Sequence, residues 1–339
     1  MQKKTRLYEV DMAKGFAMLL VLIGHCTYSD RELVGWLYSF HMPLFFALSG
    51  FTFHPEKYKS LREVIDAKFR QLIIPYFLFN TILWVLSLLL LDGLHLQYRH
   101  LNELIGIVVA DRLSDYFFSL WFLTALFLAE PLLWCLTRMT GRRTGLLMPL
   151  SVCSFAAGAV ILPVFKGTYW SADLVPIALS FLLLGYLASI WFQRSPALLR
   201  SRKTLALAWG VNLLFFWLNF IQVGRSDLYF CKLGNPVYFY LSACGGTIGA
   251  LSLCLNLGRL PGIEYIGRNS LVFYAFESLA IPLSERLLRS MWGASSLESA
   301  PFVSMLMVLS LSCGMLAFAS FGYAAFRRRM QTAAVLHVY

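Results

Sequence analysis

The feature that most constrains this chain is the recurrence of apolar stretches long enough to cross a bilayer. A transmembrane helix needs about 20 such residues to span the hydrocarbon core. Ten stretches qualify, near residues 13–29, 33–53, 72–91, 116–137, 145–165, 174–193, 204–222, 236–256, 268–288 and 302–326. In lipid each backbone N–H and C=O must be satisfied within the protein, so segments of this kind are helices. The expected fold is an all-α integral membrane protein, a bundle of about ten transmembrane helices forming one polytopic domain over residues 1–339. The apolar piece 104–110 is too short to cross and reads as an interfacial or re-entrant segment.

Charge tests that count. The chain is 58% hydrophobic and 14% charged, with a mean hydropathy of +0.65, whereas soluble domains average about 25% charged residues. The formal charge of +11 lies in the short connections rather than in one patch, which argues against nucleic acid as a partner. With the N-terminus in the cytoplasm, 20 of the 29 Lys and Arg fall on the inner side. They include Lys3, Lys4 and Arg6 at one end and Arg327, Arg328 and Arg329 at the other. Eight fall outside (Arg31, Arg99, Arg112, Lys166, Arg225, Lys232, Arg286 and Arg289), and Lys14 lies within the first span. Treating 104–110 as a further span would invert everything downstream against the positive-inside rule, so both termini are expected in the cytoplasm. The first apolar run lacks a small-residue cleavage site and reads as a span rather than a signal peptide. The seven cysteines are scattered without a CxxC, so neither disulfides nor a metal site are expected. In the connection 55–71, Leu61, Val64, Ile65, Lys68 and Phe69 recur at helical spacing, as in an amphipathic helix on the inner face. A lipid contact and a ligand role both fit it.

Polar groups inside the spans are few. Lys14 and His25 are eleven residues apart, about three helical turns, so they share a face, with His25 ~16 Å further along the axis. Asp11 falls near the same stripe, one turn before Lys14. Polar residues at such depth are costly and mark function by default; the competing reading is a snorkelling lysine and a histidine bonded to a neighbouring helix. His41 lies in the second span, which must run antiparallel to the first, so the two imidazoles can approach; Pro43 is expected to kink the helix just after His41. Glu277 sits near the middle of the ninth span and Glu130 in the fourth, before Pro131. An ionised carboxylate at mid-depth costs ~2.5–3.5 kcal/mol, so Glu277 pairs, is protonated or faces water. A transporter's proton site explains it as well as an enzyme's does. There is no HExxH for a metal and no GxSxG elbow for a serine hydrolase.

Four motifs in order point further. They are Asp11-x-x-Lys14-Gly15 running to Gly24-His25, then Phe40-His-Met-Pro-Leu-Phe-Phe46 with Ser49-Gly50, then Lys68-Phe-Arg-Gln-Leu-Ile-Ile-Pro-Tyr76, and then Trp121-Phe-Leu123. In these the sequence resembles the membrane acyltransferase-3 family, particularly its fucose 4-O-acetylase-like branch. It departs from that pattern after Asn269-Ser-Leu271, where many relatives carry a histidine and this chain has Tyr274-Ala-Phe-Glu277. The resemblance implies an O-acyltransferase of the plasma (inner) membrane, moving acetyl from acetyl-CoA to a sugar hydroxyl of a cell-surface glycan or lipid-linked precursor. It implies His25 as general base or acyl carrier, oriented by His41 or Glu277, with Asp11 and Lys14 holding the inner end of the polar stripe. Lys68, Arg70, Tyr76 and Trp121 are implied on the cofactor side, the first two toward the CoA phosphates. The partners are then acyl-CoA, a carbohydrate acceptor and membrane lipid, with room for a homo-oligomer. The reading from another class is a secondary transporter or flippase, against which stands the lack of paired Gly/Pro-broken segments in the two halves.

Overall fold

The computed structural model describes residues 8–90, 101–112 and 120–336, with side chains for 8–86, 104–112 and 120–325. The basic residues Lys3, Lys4, Arg6 and Arg99, the first residues of the fourth expected span (116–119) and the side chains of Arg327, Arg328 and Arg329 lie outside the described residues. In chain order the helices are α1 (Tyr8–His25), α2 (Arg31–Tyr38), α3 (His41–Phe51), α4 (Leu61–Lys68), α5 (Ile74–Leu90) and α6 (Leu101–Val109). Then come α7 (Trp121–Met139), α8 (Thr144–Val164), α9 (Val175–Arg194), α10 (Pro196–Leu199), α11 (Arg202–Val223) and α12 (Pro236–Asn256). The last are α13 (Pro261–Arg268), α14 (Ser270–Trp292), α15 (Ala294–Ser299) and α16 (Pro301–Leu336). Among the described residues the strand content is one isolated antiparallel bridge, Asp227 with Lys232. The protein is an all-α integral membrane protein.

Eight helical segments among the described residues are long and apolar enough to cross a membrane. The helices α1 and α14, 18 and 23 residues long, are set apart from them by charge rather than length. α1 carries Glu9, Asp11 and Lys14, and α14 carries Glu277, Glu285, Arg286 and Arg289. These two helices hold His25 and Glu277.

Two of the expected spans depart locally from a straight helix, and prolines explain both. The second is broken between α2 and α3, where Phe40 has φ −148°. Pro43 removes a donor and its ring crowds the carbonyl four residues earlier, that of Ser39, so the break falls before His41 and not after it. A buried polar knot holds the break: Trp36 Nε1 donates to Asn212 Oδ1 at 2.6 Å, and Asn212 Nδ2 donates to the Ser242 carbonyl at 2.9 Å. In the third span α4 runs into α5 through a π-helical turn at Phe69–Ile73, in which the Ile74 N–H reaches the Phe69 carbonyl. Pro75 cannot donate to the Gln71 carbonyl, and the wider turn relieves that crowding. The amphipathic helix and the third span are therefore one continuous helical run. Leu61, Ile65 and Phe69 are exposed along one face of it, while Val64 and Lys68 are buried.

The chain forms two compact units, Met1–Leu33 with Arg259–Tyr339, and Val34–Gly258. In the first, α1 packs on α13 and α14, and α14 on α16. Its core includes Met12, Ala13, Ala17, Met18 and Leu22 of α1 with Phe273 and Ala275 of α14. In the second, the tightest pairs are α11 with α12, α3 with α9 and α8 with α9. The α3–α9 contact is backbone to backbone: a Cβ on Gly50 would run into the Leu182 carbonyl, and one on Gly185 into that of Ala47. Arg112, fully buried, closes the loops of this unit. It donates to both carboxylate oxygens of Asp173, at 3.0 and 2.6 Å, and to the Tyr229 carbonyl at 2.9 Å. A bidentate pair whose Nε–H is also bonded is the arrangement in which a buried ion pair is tolerated.

Candidate functional site

His25 is the last residue of α1, so its ring leaves the helix where the chain turns away. Its Nδ1 lies 2.8 Å from Oε2 of Glu277 on α14. The exposures differ sharply: the imidazole side chain is 36% exposed and the carboxylate side chain 1%. Glu277 belongs to a buried stripe of α14 with Tyr274, Ile281, Ser284 and Leu288, spaced by three or four residues as one helix face requires. Further along α14, Glu285 takes the Thr27 N–H at 3.0 Å and the Thr27 hydroxyl at 2.9 Å, and Arg289 donates to the Tyr28 hydroxyl at 3.2 Å. One helix thus holds both the ring of His25 and the backbone that follows it.

The chemistry follows from this arrangement. As a carboxylate Glu277 can only accept a hydrogen bond, and in that form the His25 nitrogen facing it carries the hydrogen, which leaves Nε2 as the basic atom. When Nε2 takes a proton, the positive ring is stabilised by Glu277 and by the carbonyl end of α1.

The N-terminal end of α1 is tied down differently. Asp11 Oδ2 is 3.4 Å from Nε of Arg268, which also pairs with Glu264. Arg259 binds the same Glu264 carboxylate at 2.5 and 3.1 Å, and Glu264 lifts that guanidinium above its usual range. Gly15 and Gly267 let α1 and α13 meet: a Cβ on Gly15 would strike the Ile263 carbonyl, and one on Gly267 the Asp11 carbonyl. Lys14 is half-buried on the same helix. Sequence reasoning missed Arg268, Glu264 and Arg259 as a cluster; the available signal was three charges within ten residues next to a span.

His41, in the second unit, is buried with Nδ1 2.8 Å from the Leu37 carbonyl and its ring edge-on to Tyr38. A carbonyl cannot donate, so this nitrogen carries the hydrogen. Lys68 is buried just before the π-helical turn, 3.0 Å from a Glu130 oxygen and 3.2 Å from Gln71 Oε1, and its ammonium sits over the Phe53 ring. Arg70, two residues on, is exposed, as are Lys57, Lys59 and Arg62. The Tyr76 hydroxyl donates to the Ile107 carbonyl of α6 at 3.0 Å. Trp121, buried, packs among Phe46, Phe122 and Tyr229. Of the residues singled out from sequence, the structure brings His25 to Glu277. Asp11 goes to Arg268, Lys68 to Glu130, and His41 to the Leu37 carbonyl of α2, across the break.

Fold and site together define a polytopic membrane protein in which a buried carboxylate backs an accessible imidazole. A family model described as an acyltransferase domain matches residues 7–323, and the chain belongs to this family, acyltransferase-3. It is similar to nodulation protein NolL of Mesorhizobium japonicum, 26% identical over 189 residues that cover 52% of this chain and 46% of that protein. The chain thus spans about half the length of the curated relative it matches. No solved structure matches.

Proposed function

We propose that the protein is an O-acyltransferase of the inner membrane that moves an acyl group, acetyl by the fucose 4-O-acetylase-like motifs, from acyl-CoA to a sugar hydroxyl of a surface glycan or its lipid-linked precursor. The observation that carries this reading is the His25–Glu277 contact in a chain of the acyltransferase-3 family. Nε2 of His25 takes the proton of the acceptor hydroxyl as that oxygen attacks the thioester carbonyl. The C–S bond then breaks, and the departing thiolate receives the proton from the imidazolium. Glu277 holds the ring and its charge throughout but exchanges no proton. Acyl-CoA supplies an activated thioester and a polyanionic handle. Exposed Arg70, with Lys57, Lys59 and Arg62 nearby in sequence, suits phosphate, and we assign buried Lys68 with Glu130 to fixing the turn that carries Arg70.

The test uses purified full-length protein in vesicles, supplied with acetyl-CoA and glycan acceptor. His25→Ala is expected to fold and bind CoA normally while transfer falls about 10²–10⁴-fold, the usual worth of a positioned base. Retained transfer overturns the assignment. Mass spectrometry of surface glycans with and without the protein identifies the acceptor by an acetyl-sized difference, and an unchanged glycan profile argues against a glycan acceptor.

A further inference from the structure

One buried polar side chain has no role in anything described above. Asn80 lies in the middle of α5, one turn beyond Tyr76, on the buried stripe Tyr76, Phe79, Asn80 and Leu83. It is 0% exposed, and among the described residues neither Oδ1 nor Nδ2 has a hydrogen-bond partner. A primary amide carries two donors and two acceptor sites. Burying all of them unpaired is a cost that a leucine of similar size would not incur. A serine or threonine in the same position could turn its hydroxyl onto its own helix, but an asparagine cannot satisfy both ends that way.

We infer that Asn80 is a recognition point for an amide of the donor's pantetheine arm, reached when the arm enters along α5. This rests on the proposed reading that the donor is an acyl-CoA. Three observations converge on it. The side chain is neutral and presents a donor and an acceptor together, the complement of an amide and not of a phosphate. It lies ten residues beyond Arg70 on one continuous helical run, a rise of ~15 Å, comparable with the extended arm between the phosphates and the sulfur. The residues that share its buried face of α5, Tyr76, Phe79 and Leu83, present mostly hydrocarbon, like the methylenes that separate the two amides of that arm. Entry requires the packing over Asn80 to open, because the amide is fully enclosed in the free protein.

The test compares CoA with adenosine 3′,5′-bisphosphate, which keeps phosphates but lacks the arm, on purified full-length protein in lipid nanodiscs. Thermal unfolding and ligand affinity are measured for wild type and Asn80→Leu. The expected result is a higher unfolding temperature for the free variant, about tenfold weaker CoA binding, and unchanged binding of the bisphosphate. Asn80→Ala, which cannot overpack, is expected to show the same selective loss of CoA affinity. A variant that binds CoA as wild type does overturns the inference alone, whatever its stability. Equal weakening toward CoA and bisphosphate overturns it as well, since the arm would then not be what Asn80 reads. A wild-type protein that ignores CoA overturns the parent reading, and this inference with it.

Discussion

At the scale of single residues, the site is a division of labour between an accessible imidazole and an enclosed carboxylate. Glu277 touches the base rather than the reacting atoms, which makes it a positioning residue. Glu277→Gln keeps the shape but removes the charge, and its amide can present either a donor or an acceptor to Nδ1. We expect kcat to fall about 10²–10⁴-fold with the KM values for donor and acceptor nearly unchanged. The pH profile of kcat should also move, because the group that stabilises the protonated ring is gone; Glu277→Asp should recover part of the rate. A loss confined to stability or KM, with an unmoved pH profile, would assign Glu277 to packing. The sequence showed both residues as costly at their depth, and the family resemblance offered Glu277 beside His41 as the partner of His25; nothing in the spacing chose between them, since His25 and Glu277 are 252 positions apart. The role of Arg268 was not legible because its partner Asp11 comes from the opposite end of the chain.

At the scale of elements, the motif glycines are docking points rather than hinges. Gly15 and Gly267 place the backbones of α1 and α13 in contact, and this fixes the direction in which α1 presents His25. Gly15→Ala forces a methyl into the Ile263 carbonyl, and overpacking of this kind costs about 1–3 kcal/mol. Gly145, in α8, has nothing within 4 Å of its added Cβ, so Gly145→Ala is the control and should be neutral or gain the ~0.5–1 kcal/mol of helix propensity. Thermal unfolding in detergent should show a lowered midpoint for Gly15→Ala alone; equal midpoints would remove the close approach from the account. The elements themselves were largely legible, because apolar length and proline position are local properties. Their detail was not: Pro43 signalled a kink, but the break lies on its N-terminal side, where the proline ring meets a carbonyl.

At the scale of the whole molecule, the first unit is assembled from both ends of the chain, α1 with α13 to α16. A cytoplasmic N-terminus, as proposed from the charges, would place the cluster around Asp11 and Arg268 toward the cytoplasm and His25, ~20 Å further along α1, toward the outside. Basic residues, 20 on the inner side and 8 on the outer, support this orientation. Reporter tags before residue 1 and after Tyr339 are both expected in the cytoplasm. A C-terminal tag reporting the outer side would overturn the orientation and with it the placement of His25.

Sequence by itself determined that this chain is a helical membrane protein and which of its polar residues are expensive to keep there. Those are one-dimensional quantities: the length of an apolar run, the cost of a charge within it, the sign of the loops between. Tertiary structure alone decided how each expensive residue is compensated. Glu277 backs His25, Asp11 binds Arg268, Lys68 is neutralised by Glu130, and Asn80 has no partner among the described residues. The reason is that the partner of a buried polar group is set by which helix faces dock. Docking depends on shape complementarity between segments up to hundreds of residues apart, which no spacing along the chain encodes.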